Sequence, residues 1–191
     1  MMRIITGKAR GVRLDTPAGE TTRPTAERAK EAVFSMLQFE LEDRQVLDLF
    51  AGSGQLGLEA LSRGAAHAVL VDCDRNAAEI LKKNALKTRL APDCEIFCAD
   101  YADFLRNCRG KRRFDLIFLD PPYARKLVPD ALQQLKKYRC LSPHATVVCE
   151  CGSGEDVFGA DAALAALFTV RKETKYGVAY VTVLEYQGEE P

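Results

Sequence analysis

The sequence predicts an α/β fold: a Rossmann-like, seven-stranded mixed sheet with helices on both faces, preceded by a small N-terminal β-hairpin and helix. Three observations predict it. From residue 45 onward, short strand-like apolar runs alternate with helical periodicity, the pattern of a parallel sheet crossed by helices. The last two apolar runs lie too close together for a crossover, so they must pair antiparallel. A glycine turn, Gly52-Ser-Gly54-Gln-Leu-Gly57, joins the first strand run to the helix after it. The 191 residues suit one domain, 1–191, with 1–40 as an extension and 41–191 as the core.

Taken in order, residues 2–6 and 11–15 flank Gly7 and Gly11 and suit a hairpin. A stretch rich in Pro, Gly and Thr (16–24) makes a loop. Helical spacing starts at Thr25, a good N-cap residue. Strands are expected over 46–50, 68–72, 94–99, 114–119 and 145–149. Helices are expected over 56–63, 75–88, 101–108, 127–138 and 160–167. Runs 168–174 and 179–186 are the closing antiparallel pair.

Formal net charge is zero, which gives no global polybasic signal for nucleic acid. The distribution is uneven, though. Residues 1–14 hold Arg3, Lys8, Arg10 and Arg13 and no acid, a local patch able to bind phosphate. Arg109 and Lys111 to Arg113 form a second cluster, read as a solvated loop on the side away from the strand ends. The seven cysteines are an odd number without zinc-type spacing. They are expected as buried, reduced thiols with no metal, in a reducing cytoplasm. The start has no signal-peptide core, and no window resembles a membrane span.

Two motifs carry chemistry. In the first, three glycines spaced G-x-G-x-x-G between strand and helix let the backbone turn sharply and approach a ligand. Asp72 ends the second strand, where an acid can accept from ribose hydroxyls. That layout also fits a dinucleotide site. Asp48, just before the loop, decides between the two ligands. A pyrophosphate gains nothing from a nearby carboxylate, whereas S-adenosylmethionine (SAM) is cationic and gains from one. There is also little room for a separate substrate domain. The reading is therefore SAM, with S-adenosylhomocysteine as product. Asp100, at the end of the third strand, suits the adenine amine, an N-cap role, or both. Asp74 suits a helix cap. His67 and His144 receive no role.

The second motif is Asp120-Pro121-Pro122-Tyr123, at the end of an apolar strand run. It supplies a carboxylate, a peptide carbonyl stiffened by two prolines, and a flat ring. Asp120 can accept one N–H of a planar amine and the Pro121 carbonyl the other, while Tyr123 stacks on the heterocycle. The amine lone pair then faces a methyl donor, and the carboxylate stabilises the positive charge growing on nitrogen. The target is an exocyclic amine of a nucleobase, or an amide. A base must leave its stack to enter such a site, which is easier from unpaired RNA.

Arg23-Pro24-Thr25, the segment from Asp48 to Gly57 and Asp120-Pro-Pro-Tyr123, in this order and behind a basic start, resemble the RsmD-like family of 16S rRNA guanine-N2 methyltransferases. The resemblance covers nearly the whole chain. It implies the class I SAM-dependent methyltransferase fold, with the SAM loop made by Asp48, Phe50, Ala51, Gly52, Ser53, Gly54 and Gly57. It implies that Thr25 lies near the methionine end of SAM. Where the family commonly has Glu after strand two, this chain has the shorter Asp72. RNA contact is implied for Arg3, Lys8, Arg10, Arg13 and Arg23, and for Arg125 and Lys126 beside the catalytic tetrapeptide. The implied partner is small-subunit rRNA or an assembling 30S particle, met by a monomer. Three other readings share part of the pattern. They are a DNA adenine-N6 or cytosine-N4 methyltransferase, a glutamine-amide methyltransferase, and a non-catalytic SAM- or RNA-binding assembly factor.

Overall fold

Each expected strand run forms a strand, and the inner strands bury residues on both faces of the sheet. The computed structural model describes residues 2–17, 24–122, 127–152, 155–177 and 179–188, apart from the side chains of 24–26. Its strands are β1 (Gln45–Asp48), β2 (His67–Asp72), β3 (Cys94–Cys98), β4 (Phe114–Leu119), β5 (Leu141–Cys151), β6 (Phe168–Tyr176) and β7 (Ala179–Tyr186). They make one sheet in the order β3-β2-β1-β4-β5-β7-β6. The first five pair in parallel, and β7 runs antiparallel between β5 and β6. Along β4, Leu116 and Phe118 face one core while Ile117 and Leu119 face the other.

The helices are α1 (Pro24–Met36), α2 (Gln55–Ser62), α3 (Arg75–Lys87), α4 (Tyr101–Cys108), α5 (Val128–Lys137) and the short α6 (Ala162–Ala165). Helices α1 to α3 and the N-terminal segment cover one face, around Phe34, Leu58, Leu70 and Phe118. Helices α4 to α6 cover the other, around Leu105, Ile117, Leu132 and Val147.

Four expectations are corrected. Helix α1 starts at Pro24, so Thr25 lies within its first turn and is not the N-cap. Proline suits that position, because its φ is preset and its missing N–H has no helical acceptor to lose. Strand β5 extends back to Leu141, because a register shift between Phe114 and Leu116 lets Leu141 pair with Phe114. The N-terminal hairpin narrows to one bridge, Arg3 to Arg13, flanked by Ile4 N–H to Val12 O (3.0 Å) and Leu14 N–H to Met2 O (3.0 Å). Finally, Cys73 and Cys98 are exposed and Cys94 is half-buried, while Cys108, Cys140, Cys149 and Cys151 are buried. Strand β3 is an edge strand and β2 stops at Asp72, so these outer thiols lie beyond the covered core.

The N-terminal segment is fixed by side chains far along the chain. Glu59, fully buried in α2, accepts from the N–H groups of Ile5 (2.7 Å) and Thr6 (3.0 Å). It also pairs with Lys30 Nζ at 3.1 Å and Arg63 Nε at 2.8 Å. Ser62 Oγ donates to Thr6 O and accepts from Ala9 N–H. Gly7 sits against α2 at φ +86°, where a Cβ would lie 1.7 Å from the Ser62 carbonyl oxygen. Asn84 of α3, also fully buried, accepts from Asp15 N–H and donates to the carbonyls of Asp15 and Ser53. The segment carrying Arg3, Lys8, Arg10 and Arg13 is thus tied to the same helices that hold the glycine loop. All four basic side chains are exposed.

Candidate active site

Strand β1 lies between β2 and β4, so the chain winds outward in both directions from it. Loops leaving the C-terminal ends of β1 and β4 diverge there and open a crevice, the usual ligand position in such sheets. The glycine loop lines one side. Gly52 (φ +52°) and Gly54 (φ +83°) take left-handed conformations, and nothing lies within 4 Å of a Cβ placed on Gly52. A Cβ on Gly57 would meet Leu70 Cδ2 at 2.1 Å, so the third glycine serves close packing of α2 on β2. Ser53 is buried beneath the loop.

Asp72 fixes the loop. Its Oδ2 accepts from Gly52 N–H and its Oδ1 from Asp74 N–H, both at 2.8 Å. This structural role was not visible in the sequence. Each oxygen keeps a second lone pair for a hydroxyl donor. Asp74 caps α3 through Asn76 and Ala77 N–H, as expected. Asp100 caps α4 by accepting from Ala102 N–H at 2.9 Å, which realises one of its two expected roles. Next to it, Tyr101 stacks near Phe50, with ring centroids 5.2 Å apart, and donates its hydroxyl to Asp130 Oδ2 at 2.6 Å. Burial and Asp130 hold the Tyr101 proton on well above the usual range. Tyr101 escaped the sequence reading, although its place directly after a strand-end acid was a usable signal.

Asp48 is fully buried below the loop. Its Oδ2 accepts from Gly57 N–H at 3.2 Å, and among the described residues its Oδ1 has no hydrogen-bond partner. Burial pushes its carboxyl up to about 7; the N–H groups of Gly57 and Phe50 oppose that, and nearby Asp72 adds to it. An orphaned buried acceptor is costly, and a cation in the crevice would relieve it. The residues therefore fit a cationic cofactor.

Asp120 follows β4 directly and is half-buried, Pro121 is buried, and Pro122 is exposed. Asp120 shares a pocket with Lys30, Gln55, Leu56 and Glu150. The structure therefore brings Asp120 to one pocket with Gln55 and Leu56 of the glycine segment, while Asp72 binds the Gly52 N–H and Asp100 caps α4. Tyr123, Arg125 and Lys126, like Arg23, lie outside the described residues, as does the side chain of Thr25. Lys111 to Arg113 precede β4, at the opposite end of the sheet, where Arg112 forms two bonds to Glu95 (2.8 and 3.0 Å). Among the described residues, no three His, Cys, Asp or Glu side chains form a metal-binding group, and no helix is long and apolar enough to cross a membrane.

A family model described as conserved hypothetical protein 95 matches residues 2–185. The chain belongs to the RsmD-like methyltransferase family. Among its relatives, "Putative rRNA methyltransferase YlbH" of Bacillus subtilis is 35% identical, over 98% of this chain and 100% of that one. The ribosomal RNA small subunit methyltransferase D of Escherichia coli strain K12 is 38% identical, over 78% of this chain and 74% of that one. Of the solved structures, "Putative methyltransferase yhhF" from Escherichia coli superposes with a TM-score of 0.85 at 31% identity, covering 98% of this chain and 99% of that one. The RsmD-like chain thus has the class I SAM-dependent methyltransferase fold, and SAM is its cofactor. Its N-terminal segment and α1 fall inside the matched region, as the Arg-Pro-Thr resemblance implied.

Proposed function

We propose that this chain transfers the methyl group of SAM to the exocyclic N2 of a guanine in 16S rRNA, acting as a monomer on the RNA of an assembling small-subunit particle. One observation carries the reading: Asp120 and the rigid Pro121 peptide emerge from β4 beside the glycine loop, at the switch point of the sheet. Bound SAM supplies an electrophilic methyl group on a positively charged sulfur. Asp120 and the Pro121 carbonyl accept the two amine N–H bonds and aim the nitrogen lone pair. The Asp120 carboxylate stabilises positive charge on that nitrogen, and the departing proton goes to it or to water. Tyr123 stacks on the base. Asp72 and Asp100 serve the ribose and the adenine amine, and Thr25 lies near the methionine end. Gene deletion tests the reading: one N2-methylguanosine should vanish from small-subunit RNA, and an unchanged nucleoside profile would overturn it.

The Asp48 geometry gives a pH prediction. A cation in the crevice favours the ionised carboxylate, so SAM binding below pH 7 should release a proton. Affinity should rise by up to about tenfold per pH unit toward 7 and then level off. The stability of the free protein should move the other way. Between the ordinary carboxylate range and about 7, the folded state holds more protons than the unfolded state, so stability falls as pH rises through that window. Asp48→Asn should flatten both curves, as checked by calorimetry in two buffers and by denaturant melts.

Arg3, Lys8, Arg10 and Arg13, with Arg23, Arg125 and Lys126, supply the RNA contacts in this reading. The charge reversals Arg10→Glu and Arg13→Glu together should weaken RNA binding and flatten its salt dependence by about two units of slope. SAM affinity should stay the same. Filter binding across a salt series checks this.

A further inference from the structure

We infer that Glu150 reads the target base, accepting the ring N1–H of guanine beside the amine held at Asp120. The inference rests on the guanine-N2 reading and deepens it. Strands β4 and β5 pair in parallel up to Leu119 with Cys149. Asp120 and Glu150 therefore occupy the next rung, on chains about 4.8 Å apart. Phe118 and Val148, two residues back on each strand, belong to one core cluster, so the two acids point to the same face. Both line one pocket, together with Lys30, Gln55, Leu56 and Val181. Lys30 Nζ is held in its wall by Glu59 and the Arg3 carbonyl, and supplies positive charge to an otherwise acidic site.

Base chemistry gives this second carboxylate a purpose. On its pairing edge, guanine presents two donors in a row, the N2 amine and the N1–H. Adenine and cytosine place a ring-nitrogen lone pair next to their amines. One acid at the amine would grip all three bases. A second acceptor one rung away matches guanine, and sets a carboxylate against a lone pair in the other two. A carboxylate set against a lone pair weakens the complex, so a site built to bond a donor rejects analogues that lack it. Asp120 accordingly serves the reaction, and Glu150 serves the choice of base.

The test uses small-subunit particles assembled on RNA carrying either guanine or 2-aminopurine at the modified position. The analogue keeps the 2-amine and lacks the N1–H. Wild-type protein should prefer guanine in kcat/KM by about 10–100-fold. Glu150→Gln, whose amide can donate to the bare N1, should narrow that preference by about tenfold or more, with SAM affinity by calorimetry unchanged. Glu150→Asp should keep most of the preference. Glu150→Ser should narrow it as well, and reads the same quantity should the glutamine variant fail to bind SAM. A preference in the Gln and Ser variants equal to wild type would overturn the role of Glu150 while leaving the guanine reading intact. Absence of any N2-methylguanosine from the wild-type reaction would overturn the guanine reading itself.

Discussion

Asp120→Ala should lower kcat for methyl transfer by about a thousandfold, the scale of losing a preorganised electrostatic partner of a developing charge. SAM affinity should be unchanged, because the proposed reaction assigns the cofactor to the glycine loop, Asp48, Asp72 and Asp100. RNA affinity should change little, because the proposed RNA contacts lie on the exposed basic segment. The loss should therefore appear in kcat and hardly in KM, the mark of an interaction made only in the transition state. Asp120→Asn should fall between, since its amide oxygen still accepts one N–H but carries no charge. Single-turnover transfer from labelled SAM, with calorimetry of SAM binding on the same variants, measures both quantities.

Glu59→Ala should cost about 3–5 kcal/mol of stability, because it strips the partner from a buried cation. Lys30 is almost fully buried, and desolvation already lowers its pKa against the pull of Glu59. Removing Glu59 takes the carboxylate from that ammonium and from the Arg63 guanidinium, leaving them the Arg3 and Phe34 carbonyls, and takes the acceptor from the N–H groups of Ile5 and Thr6. On the usual 5–15 kcal/mol scale of domain stability, this loss is large. The damage should be local as well as global. The N-terminal segment should detach before the sheet melts, and trypsin should cleave at Lys8, Arg10 or Arg13 under native conditions. Denaturant melts and limited proteolysis report the two effects. A variant as stable as wild type, with that segment still protected, would show that Glu59 does not hold it.

These two residues also mark how far the sequence could be read. The succession of strands and helices up to Asp120 was legible because each strand is its own apolar run and each is bracketed by helical spacing. The Asp100 and Asp74 caps were legible because an N-cap bond spans only two or three residues. The seating of the N-terminal segment was not, because its bonds join Ile5 and Thr6 to Glu59, and Asp15 to Asn84, across most of the first half of the chain. One signal was available: Glu59 interrupts an otherwise apolar run in which every residue from Gly57 to Ser62 is buried. Asp48 was placed beside the ligand by charge logic alone. The fold puts its carboxylate beneath the loop, with one oxygen unpaired, and burial is a tertiary property that no local pattern reports. The exposed Cys73 and Cys98 diverged for the same reason, since residue type suggested a core and the sheet edge denied it.

In the proposed reaction a strand-end carboxylate and its rigid peptide neighbour present an aromatic amine to the SAM methyl group. Its most direct measurement incubates the purified protein with methyl-labelled SAM and small-subunit particles from cells lacking this gene, then digests the RNA to nucleosides. Label should appear in N2-methylguanosine alone, at one position, and not at all with the Asp120→Ala protein. Label in N6-methyladenosine, in N4-methylcytidine or in ribosomal protein, or transfer that survives loss of Asp120, would contradict it.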